Sequence, residues 1–139
     1  MHENSIWVPF LGVMVLTILV WAFMYFHRLR FILANNINPQ TLNAPEALGA
    51  FPSMAVSASN NLKNLFELPV VFYALVLFII ATGQEDSIYT LCGYGFFLLR
   101  VLHSLIQCTY NRVMHRFTVY VVASLVLWGM VLRVVFSLW

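Results

Sequence analysis

Four stretches of this chain are so long and so apolar that no fold built from 139 residues could hide them all from solvent. From Ile6 to Phe26 no residue is more polar than Thr17; this is a run of about 21 residues, where a helix needs roughly 20 to cross the hydrocarbon of a bilayer. Comparable runs follow, and the expected spans are residues 6–30, 54–82, 87–110 and 116–138. Hydrophobic residues make up 62% of the chain and charged ones 9%, more apolar surface than a water-soluble globule of this size buries. Lipid has to cover the rest. Backbone amides in lipid must be satisfied within a helix or a closed barrel, and these runs lack the alternation of barrel strands. The expectation is an all-α, four-helix transmembrane bundle, one domain over 1–139.

The connections differ in kind. Residues 33–52 carry Asn35, Asn36, Asn38, Pro39, Asn43, Pro45 and Pro52, residues that favour turns, so this is a surface loop. Gly83 to Asp86 and Asn111 to His115 are tight connections. The flank before the first span (Met1, His2, Glu3) has no basic residue, whereas Arg28 and Arg30 follow it, the reverse of a cleaved signal peptide. Arg28, Arg30 and Lys63 flank the first connection and Arg112 and Arg116 the third, while the second holds Glu85 and Asp86. The positive-inside rule puts connections one and three in the cytoplasm and both termini on the far side, as in a bacterial inner membrane. Arg133 disagrees, but near a helix end it can snorkel outward. Seven Lys and Arg against five Asp and Glu are too few and too scattered to track a nucleic acid.

Function has to be sought in polar groups that lipid would exclude. Asn60, Asn64 and Glu67 recur at i, i+4, i+7 on the second span, with Ser57 extending the stripe; Arg100, His103 and Gln107 recur at i, i+3, i+7 on the third. Each set shares a helix face. An ionisable group at membrane depth costs about 2.5–3.5 kcal/mol, so such groups turn inward and pair. Glu67 with Arg100 is the natural pair, either as a buried salt bridge fixing helix register or as part of a ligand site. Pro69 removes an amide hydrogen within the second span, so a bend just after Glu67 is expected. It either widens a cleft or is merely tolerated. Cys92 and Cys108 lie about 24 Å apart along one helix and are read as packing residues. The histidines have no spacing suited to a metal. Trp7, Trp21, Tyr25, Trp128 and Trp139 fit interface belts, and Gly93 and Gly95 fit close helix approach.

At this point the residues resemble a family. The run Asn64, Leu65, Phe66, Glu67, Leu68, Pro69 looks like the Asn-x-x-Glu…Pro segment of the MAPEG family, membrane-associated proteins in eicosanoid and glutathione metabolism. Arg100-x-x-His103 with Arg116 sixteen residues after Arg100, and Arg28 and Arg30 with Ala34 and Asn35, are similar to the corresponding segments of microsomal glutathione transferases. The resemblance implies a homotrimer of four-helix subunits with glutathione between neighbours near the cytoplasmic surface. It implies that Asn64 and Glu67 contact glutathione, Glu67 at its ammonium; that Arg28 and Arg100 meet its carboxylates; that His103 lines the site; and that Arg116 lies near the thiol as the catalytic residue. Asn60 stands where better-known members carry an arginine, with Lys63 as a partial substitute, and Gln107 stands where eukaryotic members carry a tyrosine.

The chemistry implied is thiol activation. A thiol of pKa near 8.5 is a weak nucleophile at neutral pH, and a guanidinium or a helix N-terminus lowers that value. Arg116, expected at the start of the fourth helix, offers both, unless it and Arg112 are only headgroup anchors. The thiolate would conjugate a lipophilic small molecule arriving from the bilayer or reduce a lipid hydroperoxide. The alternative is a non-catalytic scaffold or regulatory subunit whose polar residues only hold helices together. A small-ligand or ion carrier fits less well, since no polar path leads past Ile88 to Leu99.

Overall fold

The computed structural model describes residues 5–43 and 49–137; the N-terminal flank with Glu3, Pro45 of the first connection and Trp139 lie outside them. Five helices run in chain order: α1 (Trp7–Ala34), α2 (Ser53–Leu65), α3 (Leu68–Ala81), α4 (Ser87–Cys108) and α5 (Val113–Ser137), with a short 3-10 turn at Pro39–Leu42 in the first connection. With α2 and α3 counted as one stretch, four helices are long and apolar enough to cross a membrane.

Local chemistry sets the boundaries. Pro9 sits in the first turn of α1, where its missing N–H costs nothing. The turns after α1 and α4 place Asn36 and Asn111 in the left-handed region, at φ 49° and 46°, which asparagine tolerates better than most residues. Asp86 caps α4, its Oδ1 accepting from the Tyr89 N–H at 2.9 Å. The expected bend near Pro69 is a full break. Phe66 and Glu67 leave helical geometry, Glu67 at φ −97° and ψ −99°. A helix continuing through Pro69 would set its ring against the Leu65 carbonyl, so the chain stops and restarts with the proline in the first turn of α3.

The apolar core lies between α1, α3, α4 and α5, where Val13, Phe72, Val76, Ile79, Phe96, Ala123 and Leu127 are fully buried. Phe72 and Phe96 stack with centroids 4.6 Å apart. A smaller cluster of Leu16, Val20 and Leu65 lies toward the other end. Gly93 lets α1 close on α4, since a Cβ there would come within 3.2 Å of Pro9 and 3.3 Å of Ile6. The same role expected of Gly95 is not found: a Cβ there would meet nothing within 4 Å. Outside, Leu11, Ile18, Leu125, Leu132, Trp7, Trp21, Tyr25 and Trp128 face outward, as lipid-facing residues should.

The end that carries the termini is tied together. The Ile6 amide donates to Glu85 Oε1 at 3.0 Å, and the Ser137 hydroxyl donates to Gln84 at 2.9 Å. Arg133 does not reach outward alone: it grips Asp86 with two hydrogen bonds of 2.8 and 2.5 Å and lies 4.1 Å over the Tyr89 ring. This is the one ion pair among the described residues. The Arg133 hydrogen bond holds the Asp86 carboxyl down to about 2 from an ordinary 3.8. A depressed carboxylate stabilises the fold above its unfolded pKa and loses that contribution as pH falls through the folded one.

Two outcomes are expected in detergent thermal unfolding. As pH falls from 3.8 towards 2, the wild-type Tm should drop further than that of Asp86→Asn. Gly93→Leu should cost about 1–3 kcal/mol through overpacking, whereas Gly95→Ala should be neutral or stabilise by up to about 1 kcal/mol.

Candidate functional site

At the end away from the termini, the polar residues of α2 meet those of α4. Asn61 is fully buried: its Oδ1 accepts from Ser104 at 3.3 Å, and its amide donates to Cys108 Sγ at 3.6 Å. Asn64 lies 3.2 Å from the side-chain amide of Gln107 and 3.4 Å from His103 Nε2, and Gln107 lies 2.9 Å from that same ring nitrogen. His103 Nδ1 stands 3.3 Å from the backbone carbonyl of Arg116. A carbonyl can only accept, so Nδ1 carries the hydrogen, and a neutral ring leaves Nε2 to accept from the Asn64 amide N–H. The seam is thus a closed set of short polar side chains, which costs far less at membrane depth than the same groups unpaired.

Arg100 lies among aromatic rings. It is fully buried, its guanidinium 4.8 Å over Tyr120 and 5.4 Å over Phe96. None of its three side-chain nitrogens has a hydrogen-bond partner among the described residues. The expected pairing with Glu67 is not made. Glu67 is exposed at the α2–α3 break, where its non-helical backbone takes it off the face that carries Asn64. The stripe of Asn60, Asn64 and Glu67 is therefore divided: Asn64 turns to α4, while Asn60, Lys63 and Glu67 are exposed.

Arg28 belongs to a second group. Its guanidinium donates to Ser59 Oγ at 3.1 Å and lies 5.4 Å over Phe51. With Asn60 and Lys63 it lines a small pocket of about 50 Å³ between α1 and α2. Arg116 differs from its expected place. Since α5 begins at Val113, Arg116 is its fourth residue rather than its first, and its N–H bonds back to the Arg112 carbonyl at 3.1 Å. The guanidinium donates to Asn111 Oδ1 at 2.8 Å, and Asn111 in turn donates to Ser57 Oγ at 3.1 Å. These bonds fix Arg116 beside the seam and leave most of its five donors unused.

Of the residues expected at the site, Asn64, His103, Gln107 and Arg116 come together, Arg100 lies buried one turn of α4 before His103, Arg28, Asn60 and Lys63 form the second group, and Glu67 joins neither. Asn61 and Asn111 were not singled out from the sequence. Asn61 stands three residues before Asn64, opposite Ser104 and Cys108 at i, i+4, and that spacing is the signal that marks it. Cys92 and Cys108 are free thiols. Among the described residues no three His, Cys, Asp or Glu side chains gather as metal ligands.

A bundle of membrane-crossing helices that collects amides, a histidine and arginines at one end defines a class: a multi-pass membrane protein with a cluster of polar side chains at one end of its bundle. The sequence model of the MAPEG family matches residues 6–136, and the chain belongs to that family. No individual curated protein and no solved structure matches it significantly.

Gln107→Ala removes a neighbour of both Asn64 and His103 and should destabilise the bundle by about 1–3 kcal/mol. Lys63→Ala, on the exposed face, should stay within about 0.5 kcal/mol. Thermal unfolding of the two variants side by side checks the contrast.

Proposed function

We propose that this chain is a membrane-bound thiol transferase or peroxidase that uses glutathione as co-substrate and works as a homotrimer. The observation that carries the reading is Arg100, a fully buried guanidinium that forms no ion pair and finds no hydrogen-bond acceptor among the described residues of its own subunit. A buried unpaired charge is a heavy cost for a purely structural residue. An anionic ligand that brings a carboxylate to it turns that cost into binding energy.

The outward polar residues fit the same reading. Asn60, Lys63 and Glu67 are exposed on a membrane-crossing stretch, and Asn60 and Lys63 share a pocket with half-buried Arg28. A neighbouring subunit with glutathione between the two covers them: the ligand's ammonium meets Glu67, and its carboxylates meet Arg28, Lys63 and Arg100. Asn64, His103 and Gln107 then hold the peptide amides. Arg116 favours the thiolate through its charge rather than through a helix end, since α5 starts a turn earlier. The thiolate attacks an electrophilic carbon of a lipophilic substrate and expels its leaving group. In the peroxidase variant it attacks an oxygen of a hydroperoxide and breaks the O–O bond, releasing the alcohol and becoming a sulfenic acid, from which a second glutathione thiol displaces water to close the disulfide. The arginine-bearing end faces the cytoplasm of a bacterial inner membrane, with the termini on the other side.

A second reading, a non-catalytic scaffold or regulatory subunit, is favoured by the way Asn61, Asn64, Ser104, Gln107 and Cys108 satisfy one another, as helix–helix glue would.

Purified protein given glutathione and chlorodinitrobenzene should form the conjugate. Arg116→Ala should lower kcat/KM by roughly 10²-fold or more. Arg100→Leu should raise the KM for glutathione while leaving Tm unchanged or higher, since it removes a buried charge. No product with any thiol tested, together with a normal fold for both variants, supports the scaffold instead.

A further inference from the structure

One apolar cavity of the subunit takes no part in the chemistry above. It lies between α1 and α4, measures about 540 Å³, and is walled by Val15, Leu19 and Phe23 on one helix and Phe97, Val101 and Leu105 on the other. The polar atoms at its rim are already engaged: Ser104 donates to Asn61, Cys108 accepts from Asn61, and Thr109 donates to the Leu105 carbonyl. An occupant therefore needs no polar group along its length. The deep end is closed where the Phe97 ring presses on Gly12, so close that a Cβ there would lie 2.8 Å from it. From Gly12 to Phe23 the furrow runs about 16 Å at the helical rise. It is long, narrow and apolar, with a floor.

Its other end changes character. The α1 face that carries Val15, Leu19 and Phe23 continues one turn on to His27 and Arg30, which with Asn35 and Pro52 line a pocket of about 240 Å³. The Phe23 and His27 rings meet edge to face with centroids 4.5 Å apart, at the junction of the two stretches. One helix face thus presents an aliphatic furrow and then, at the end of the bundle that carries the polar seam, hydrogen-bond donors and a positive charge. Basic pockets at the ends of membrane helices suit phosphate headgroups.

We propose that this furrow binds one anionic phospholipid, with one acyl chain in the α1–α4 cavity and the phosphate at Arg30 and His27. The site is separate from the seam of Asn64, His103 and Gln107, and its occupancy is read without any turnover.

The full-length protein in nanodiscs is photolabelled with a phosphatidylglycerol that carries a diazirine in one acyl chain, and the adducts are mapped by peptide mass spectrometry. Adducts should concentrate several-fold on residues 15–23 and 101–108 relative to the outward Leu125 and Leu132. Leu19→Trp, which fills the furrow, should remove the concentrated adducts and keep those on Leu125 and Leu132, which also reports that the bundle is intact. Arg30→Gln should reduce labelling by phosphatidylglycerol while leaving labelling by the matching phosphatidylcholine unchanged. Uniform labelling of all faces, equal labelling by both headgroups, preference for a diazirine fatty acid, or a furrow shielded from every probe, as a second copy of the chain would shield it, overturns the proposal.

Discussion

Polar side chains at membrane depth must find one another, and this one requirement organises the bundle. The α2–α4 seam meets it with neutral groups: the amides of Asn61, Asn64 and Gln107, the His103 ring, and the Ser104 hydroxyl. Because hydrogen bonds have directions, the seam fixes the rotation of α2 against α4 in a way that interchangeable apolar contacts do not. His103 extends the constraint to α5 by bonding the Arg116 carbonyl, and Asn111 closes it back onto α2 through Ser57. Three of the helices are thereby held in register at the end where the arginines lie.

Arg100 stands apart from this economy. Its neighbours are the faces of Tyr120 and Phe96, which attract a guanidinium without satisfying its donors. The proposed ligand-binding role of Arg100 rests on the contrast between a satisfied seam and an unsatisfied cation within a turn of it. MAPEG membership suits that view, since the family is tied in general to glutathione, a peptide with two carboxylates.

The architecture is legible in the sequence because a span is specified by a local property, the length of an apolar run. The site is only half legible. Periodicity correctly gathers His103 and Gln107 and sends Asn64 to meet them, since an unbroken helix keeps i, i+4 and i+7 on one side. It fails at Glu67, because Pro69 ends the helix whose phase the count assumes. The partner of Arg133 is missed for a different reason. Asp86 is 47 residues away across a loop, and no periodic pattern reports a contact between helix ends that only folding brings together. Arg116 shifts because α5 gains a turn at its start, and helix boundaries depend on caps more than on apolar content.

The Arg133–Asp86 grip, with the Glu85 and Gln84 bonds beside it, fastens one end of the bundle by a charge pair, where the other end relies on the neutral seam. Where the termini lie, three elements are riveted by a charge pair and hydrogen bonds to a short loop. At the opposite end the link between α1 and α2 is long, and α2 is severed from α3 at Phe66 and Glu67. The anchored end therefore keeps the spans aligned independently of the seam, and a substitution that opens the contacts of Asn64 leaves the far end of the bundle fastened.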